Sequence, residues 1–163
     1  MKLIRANIQD AKNLWKMQIV AFQDLYAKYK DTETSPATEP LEKVVMRLEH
    51  PDTYYYYIKV EDSTVGAVRV VDTKEPNKYK RISPIFIMKE FRGRGYAQQA
   101  MKLAEETHGS SGWELDTILF NPECKRQQMV RNRQIVFLYL FYIFNFTDIK
   151  LRNPAYIYYI TLN

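Results

Sequence analysis

The chain has 163 residues, of which 46% are hydrophobic and 26% charged, and a formal net charge of +5. That length and balance fit one domain, residues 1–163, large enough to bury a core. The charge is uneven: residues 1–120 carry 18 Lys/Arg against 17 Asp/Glu, and residues 121–163 carry 6 against 2. Basic character this dilute lacks the clustered stripe of a nucleic-acid binder, so no nucleic-acid partner is expected.

"KLIRAN" (2–7) alternates apolar and polar residues and reads as a strand, with charges where a secretion signal needs an apolar run. Asp10 precedes a periodic stretch that sets Leu14, Trp15, Phe22, Leu25, Tyr26 and Tyr29 on one face, the pattern of an amphipathic helix to about Lys30. After the polar loop "DTETSPATEP" (31–40), "LEKVVMRLEH" (41–50) reads as a second helix closed by Pro51. Three strands follow, "TYYYYIKVE" (53–61), "TVGAVRVVD" (64–72) and "RISPIFIMK" (81–89). The link "DS" suggests an antiparallel hairpin between the first two, and "TKEPNKYK" (73–80) a longer connection to the third. In "YYYY" (54–57), side chains alternate, so two tyrosines are expected in the core and two facing out, with edge-strand packing. "YAQQAMKLAEETHG" (96–109) is a helix ending at Gly109, and "WELDTILF" (113–120) a further strand. His50 and His108 fall at helix ends, where C-terminal capping accounts for them.

The texture then changes, with no glycine after Gly112. "IVFLYLFYIF" (135–144) has ten apolar residues, about half a membrane span. It is too apolar to stay exposed, so it is expected to pack on the sheet or in a homodimer contact, with no membrane partner. The single cysteine, Cys124, excludes an internal disulfide and favours the reducing cytoplasm. No metal is called for.

Two of the five glycines stand one residue apart in "FRGRGYA" (91–97), between a strand and a helix. That arrangement binds anions: free backbone N–H groups point at a phosphate, and the helix dipole adds about half a positive charge. Gly93 and Gly95 carry no Cβ to keep a phosphate away, and Arg92 and Arg94 add charge. Neither "GxxxxGK[ST]" nor "GxGxxG" is present, the latter because position 98 is Gln98. What remains, Arg92-x-x-Gly95-x-Ala97, resembles the acetyl-coenzyme A signature (Gln/Arg)-x-x-Gly-x-(Gly/Ala) of the GNAT acetyltransferases. The order strand-helix-helix-strand-strand-strand-helix-strand through residue 120 is also similar to that family's.

The resemblance implies an α/β fold with a mixed, mostly antiparallel sheet, splayed central strands and flanking helices. It implies an N-acetyltransferase that moves acetyl from acetyl-CoA, its co-substrate, to a primary amine acceptor by direct attack on the thioester. The pantetheine arm would lie along Ile85, Phe86 and Ile87, and the pyrophosphate on the amides of Arg92, Gly93, Arg94, Gly95, Tyr96 and Ala97. The N–H of Ile87 would polarise the thioester carbonyl. Pro84 lacks an N–H and restricts ladder pairing where that strand is expected to bulge.

The leaving thiolate needs a proton, and the family supplies it from a tyrosine in Asn-x-x-Ala-x-x-Leu-Tyr. "NRQIVFLYLFYIF" (132–144) matches approximately at Asn132, Leu138 and Phe144, which implies Tyr139 as the acid, with Tyr142 a competitor. Ile143 stands where the family has glycine, and Leu140 and Phe141 where it has charges. A diverged tail and a shifted reading frame both account for that change. Asp72, Glu114 and Asp116 are the candidate bases. A catalytically inert acyl-CoA-binding module is the alternative, and the acceptor is left open among small amines, peptide N-termini and lysines.

Overall fold

The computed structural model describes residues 1–115, apart from 31, 33, 34, 76, 77 and 111, together with 149 and 150. The elements in chain order are β1 (Lys2–Arg5), α1 (Ala11–Tyr29), α2 (Leu41–Glu49), β2 (Thr53–Val60), β3 (Ser63–Val71), β4 (Lys80–Ile87), α3 (Tyr96–His108), β5 (Trp113–Leu115) and β6 (Ile149–Lys150). Short 3-10 turns at Ile8–Asp10 and Lys89–Phe91 lead towards α1 and α3. The expected elements are therefore present within the described residues. The strand expected over 113–120 is described only as far as Leu115.

One sheet runs in the order β1-β2-β3-β4-β5-β6. β1 to β4 pair antiparallel, whereas β4 with β5 and β5 with β6 pair parallel. The sheet is thus mixed and mostly antiparallel. The β2–β3 hairpin turns at Glu61–Asp62, one residue earlier than "DS", because Val60 pairs with Ser63 and Glu61 takes a positive φ of 52°.

Helices cover both faces. On one, Ala97, Ala100, Met101 and Ala104 of α3 pack against Tyr56, Ile58, Val68, Val70, Ile82, Ile85 and Ile87. On the other, Leu14, Ala21 and Phe22 of α1 and Val44 of α2 pack against Tyr55, Tyr57, Ala67 and Phe86. This corrects the expectation for the tyrosine run. β2 is an interior strand, and Tyr55, Tyr56 and Tyr57 are all buried, because a covered sheet has no solvent face.

Two close approaches shape β4. A Cβ on Gly66 would lie 2.1 Å from the Phe86 carbonyl oxygen, so only glycine lets β3 and β4 come together there. Further along, Val68 pairs with Ile85 but Val70 with Ile82, which leaves Ser83 and Pro84 together opposite Arg69. This is a β-bulge at the position where Pro84 led one to expect it.

Candidate active site

The register of β4 decides which of its peptide groups face outward. Met88 N–H donates to Val65 O at 2.8 Å, so Val65 and Met88 form a hydrogen-bonded pair. Antiparallel pairs alternate, which makes Ala67–Phe86 hydrogen-bonded as well and leaves Gly66–Ile87 and Val68–Ile85 non-bonded. The N–H and C=O of Ile85 and Ile87 therefore point away from β3, whereas those of Phe86 are turned towards it. The β4–β5 ladder covers Lys80–Ile82 against Trp113–Leu115, and among the described residues no strand pairs with the outer edge of 83–87.

Past Ile87 the chain enters the glycine turn. Gly93 and Gly95 have φ of 74° and 71°, values that residues with a Cβ rarely adopt. Gly95 is the N-cap of α3 and, having no side chain, makes no side-chain capping bond. The first backbone bond of the helix runs from Gln99 N–H to Gly95 O at 3.1 Å, so the amides of the turn before it are not used by the helix. An anion is the partner that such an end accepts.

The two arginines of the turn do different things. Arg94 Nη2 donates to Glu90 O at 3.3 Å and the guanidinium lies 5.9 Å from the Phe91 ring, on the exposed side of the turn. Arg92 is folded inward: Nε donates to Ile87 O at 3.0 Å and Nη2 to Ala21 O at 2.7 Å, with Asp24 3.9 Å away. It fastens the turn to β4 and α1, a role for which an arginine's rigid donor fork is suited. Asp24 also meets Lys89 Nζ at 3.0 Å.

Of the candidate bases, Asp72 is buried and already engaged. It accepts from Lys74 Nζ and from His108 Nδ1, the latter at 2.8 Å. Burial pulls its carboxyl upward, but the hydrogen bonds from Lys74 and His108 outweigh that and hold it below the usual aspartate value. A carboxylate so stabilised is a weak base. The backbone of Glu114 pairs with that of Arg81. Asp116, Tyr139, Tyr142 and Cys124 lie outside the described residues.

His108 is also corrected. Rather than capping α3, its buried ring joins three elements: Nδ1 donates to Asp72, an acceptor only, and Nε2 accepts from Tyr56 Oη at 2.9 Å. Burial lowers its pKa, the Lys74 and Arg5 charges push the same way, and the bond to Asp72 opposes them. The ring is therefore neutral at pH 7. Its partners lie 36 and 52 residues away in sequence, so spacing could not reveal them. The available signal was its place on the stripe Ala97, Met101, Ala104, His108, the buried side of α3. His50, by contrast, is largely exposed and its Nδ1 accepts from Asp52 N–H at 3.2 Å.

The α1 face holds a second buried polar group that the sequence reading missed. Gln18 donates to Pro36 O and to Glu39 Oε2, both at 2.9 Å, and accepts from Tyr55 Oη at 3.2 Å. Glu39 receives both terminal nitrogens of Arg47 at 2.6 and 2.5 Å. Burial pushes the Tyr55 hydroxyl up to about 12, so it stays protonated. These bonds tie the loop before α2 to α1 and the sheet.

An outward-facing strand edge thus runs into a glycine turn at the start of a helix, an arrangement suited to an extended chain ending in phosphate. The sequence profile of the acetyltransferase (GNAT) family matches residues 19–128, and the chain belongs to that family. Solved structures with the same fold include an acetyltransferase from Thermus thermophilus, 19% identical, TM-score 0.55, over 76% of this chain and 80% of that one. A possible acetyltransferase from Clostridium difficile is 13% identical, TM-score 0.58, over 96% and 95%. PaiA N-acetyltransferase from Thermoplasma acidophilum, in complex with coenzyme A, is 12% identical, TM-score 0.56, over 86% of both chains. No curated protein sequence matches. Among the described residues no helix is long and apolar enough to cross a membrane.

Proposed function

We propose that the protein is an N-acetyltransferase that takes acetyl from acetyl-CoA and passes it to a primary amine. The observation that carries this reading is the continuity of the outward edge at Ile85 and Ile87 with the positive-φ turn at Gly93 and Gly95. The amides of Gly93 to Ala97, with the Arg94 charge beside them, would hold the pyrophosphate. Arg92 would keep the turn in place from behind, since its guanidinium is bonded to Ile87 O and Ala21 O.

Pantetheine carries two amides before its sulfur. An arm lying as an extended strand would use Ile87 and then Ile85, and its sulfur would reach the bulge at Ser83–Pro84. The backbone donor to the thioester oxygen then moves from Ile87, as the family pattern suggests, to Ile85. Acetyl-CoA supplies an activated acyl carbon, and the amine must reach it unprotonated. Asp72 is a poor agent for that deprotonation because its carboxylate is held low and enclosed. Tyr139 remains the proposed acid for the departing thiolate, on the family pattern alone.

Calorimetry with coenzyme A and thiol release from acetyl-CoA with a panel of amines test the reading together. Micromolar binding with amine-dependent release is expected. Binding without release from any amine would favour an inert acyl-CoA-binding module, and no binding would end both.

A further inference from the structure

The bulge in β4 contains a buried polar side chain that no described residue engages. Ser83 is 1% exposed, and its hydroxyl has no hydrogen-bond partner among the described residues. Buried hydroxyls are nearly always bonded, and leaving one without a partner is destabilising. Ile82 and Ile85 both pack towards α3 although they are three residues apart, so the bulge breaks the alternation, and Ser83 lies opposite Arg69, which in turn lies across from Tyr55. Arg69 is buried there and donates from Nη1 to the Ser83 carbonyl at 2.6 Å. The peptide at the bulge is thus held by a cation, in a place where the ladder between β3 and β4 is interrupted.

We infer that the Ser83 hydroxyl is a catalytic hydrogen-bond donor to the acyl oxygen of the donor thioester. The inference rests on the proposed acetyl-CoA groove, which brings the thioester to this bulge. As the amine nitrogen attacks the acyl carbon, the carbonyl electron pair moves onto oxygen. When it returns, the carbon–sulfur bond breaks, the thiolate leaves with that bond's electrons, and the proton shed by the newly bonded nitrogen ends on the thiolate sulfur. Ser83 keeps its proton throughout and lends it as a hydrogen bond to the oxygen while charge is there. The Arg69 cation behind the same peptide favours an anionic neighbour and disfavours an ammonium ion, which selects the acyl oxygen over the incoming amine as the hydroxyl's partner.

A bonding role in the folded protein and a role towards the acyl group make opposite demands. Ser83→Ala removes a hydroxyl with no partner among the described residues, so its melting temperature should equal or exceed that of the wild type. Turnover of acetyl-CoA with an amine should nevertheless fall by about 10²-fold, as on losing one oxyanion donor, with coenzyme A affinity unchanged. Ser83→Cys, a weaker donor of similar size, should fall between. The decisive readout is the infrared carbonyl stretch of isotope-labelled acetyl-CoA bound to each protein: a hydrogen bond from Ser83 lowers it, and Ser83→Ala should return it towards the free value. An unchanged stretch in Ser83→Ala, with donor binding intact, would overturn the Ser83 assignment and leave the acetyltransferase reading standing. Failure of the wild-type protein to bind acetyl-CoA would overturn both.

Discussion

The two faces of the sheet each bury a polar cluster, and the clusters differ in how completely they close. Under α3, both ring nitrogens of His108 are bonded, to Tyr56 and Asp72, and Asp72 is further bonded to Lys74. Under α1, Gln18, Glu39, Arg47 and Tyr55 satisfy one another, but at the nearby bulge Ser83 keeps a buried hydroxyl without a partner among the described residues. A closed network fixes a fold, because each member would be costly to strip of its partner. An open position beside a cation is where the fold gives up stability, and such positions gather at functional sites. On the proposed role of Ser83, the α3 face would be the structural side and the α1 face the chemical side.

The largest effect should come from the strand contact that both faces share. Gly66→Val should cost about 3 kcal/mol or more, since the new side chain would meet the Phe86 carbonyl oxygen at less than any contact distance. Urea unfolding measures it. A loss below about 1 kcal/mol would show that β4 can shift away from β3 freely.

On the closed side, Asp72→Ala should destabilise the protein by about 2 kcal/mol, because it strips His108 of a partner inside the core. Coenzyme A affinity measured on the folded variant should be unchanged. An equal loss in binding and stability would place Asp72 in the donor site and erase the contrast between the faces.

Gly95→Glu should weaken coenzyme A binding at least tenfold, about 1.4 kcal/mol. It combines a strained positive φ with a carboxylate at the place proposed for the pyrophosphate. Unchanged affinity by calorimetry in a folded variant would remove the phosphate turn from the reading.

The smallest effect concerns pH. His108 has a folded pKa below its unfolded value of about 6.5, so below that pH the unfolded chain binds the proton more readily. Stability from the neutral ring is full above pH 6.5 and declines as pH falls through that value towards the folded pKa. Asp72, also lowered, adds a second decline below the usual aspartate range. Chemical unfolding between pH 7.5 and 5 should show the first decline in the wild type and a flatter profile in His108→Gln. Identical slopes would mean that the ring is not buried neutral.

The fold was largely legible because its signals are local. Periodicity of 3.6 or 2 set the helices and strands, glycines and prolines set their ends, and the Arg92-x-x-Gly95-x-Ala97 spacing marked the turn that begins α3. Pro84 even marked the bulge, since a residue without an N–H cannot serve the ladder.

What the sequence could not determine is which groups meet across the sheet. Arg92 and Arg94 look alike in the motif, yet one is folded against β4 and α1 and the other lies on the exposed side of the turn, because only the folded chain brings Ala21 to that place. Asp72 reads only as the end of a strand and a candidate base until α3 sets His108 against it. Ile85, Phe86 and Ile87 form one apolar run, and the register with β3 alone decides that the peptide groups of the outer two point away from β3. Local geometry repeats every few residues and is written in the order of side chains. Partnership at 36 or 52 residues' distance depends on how whole elements pack, and only the tertiary structure decides that.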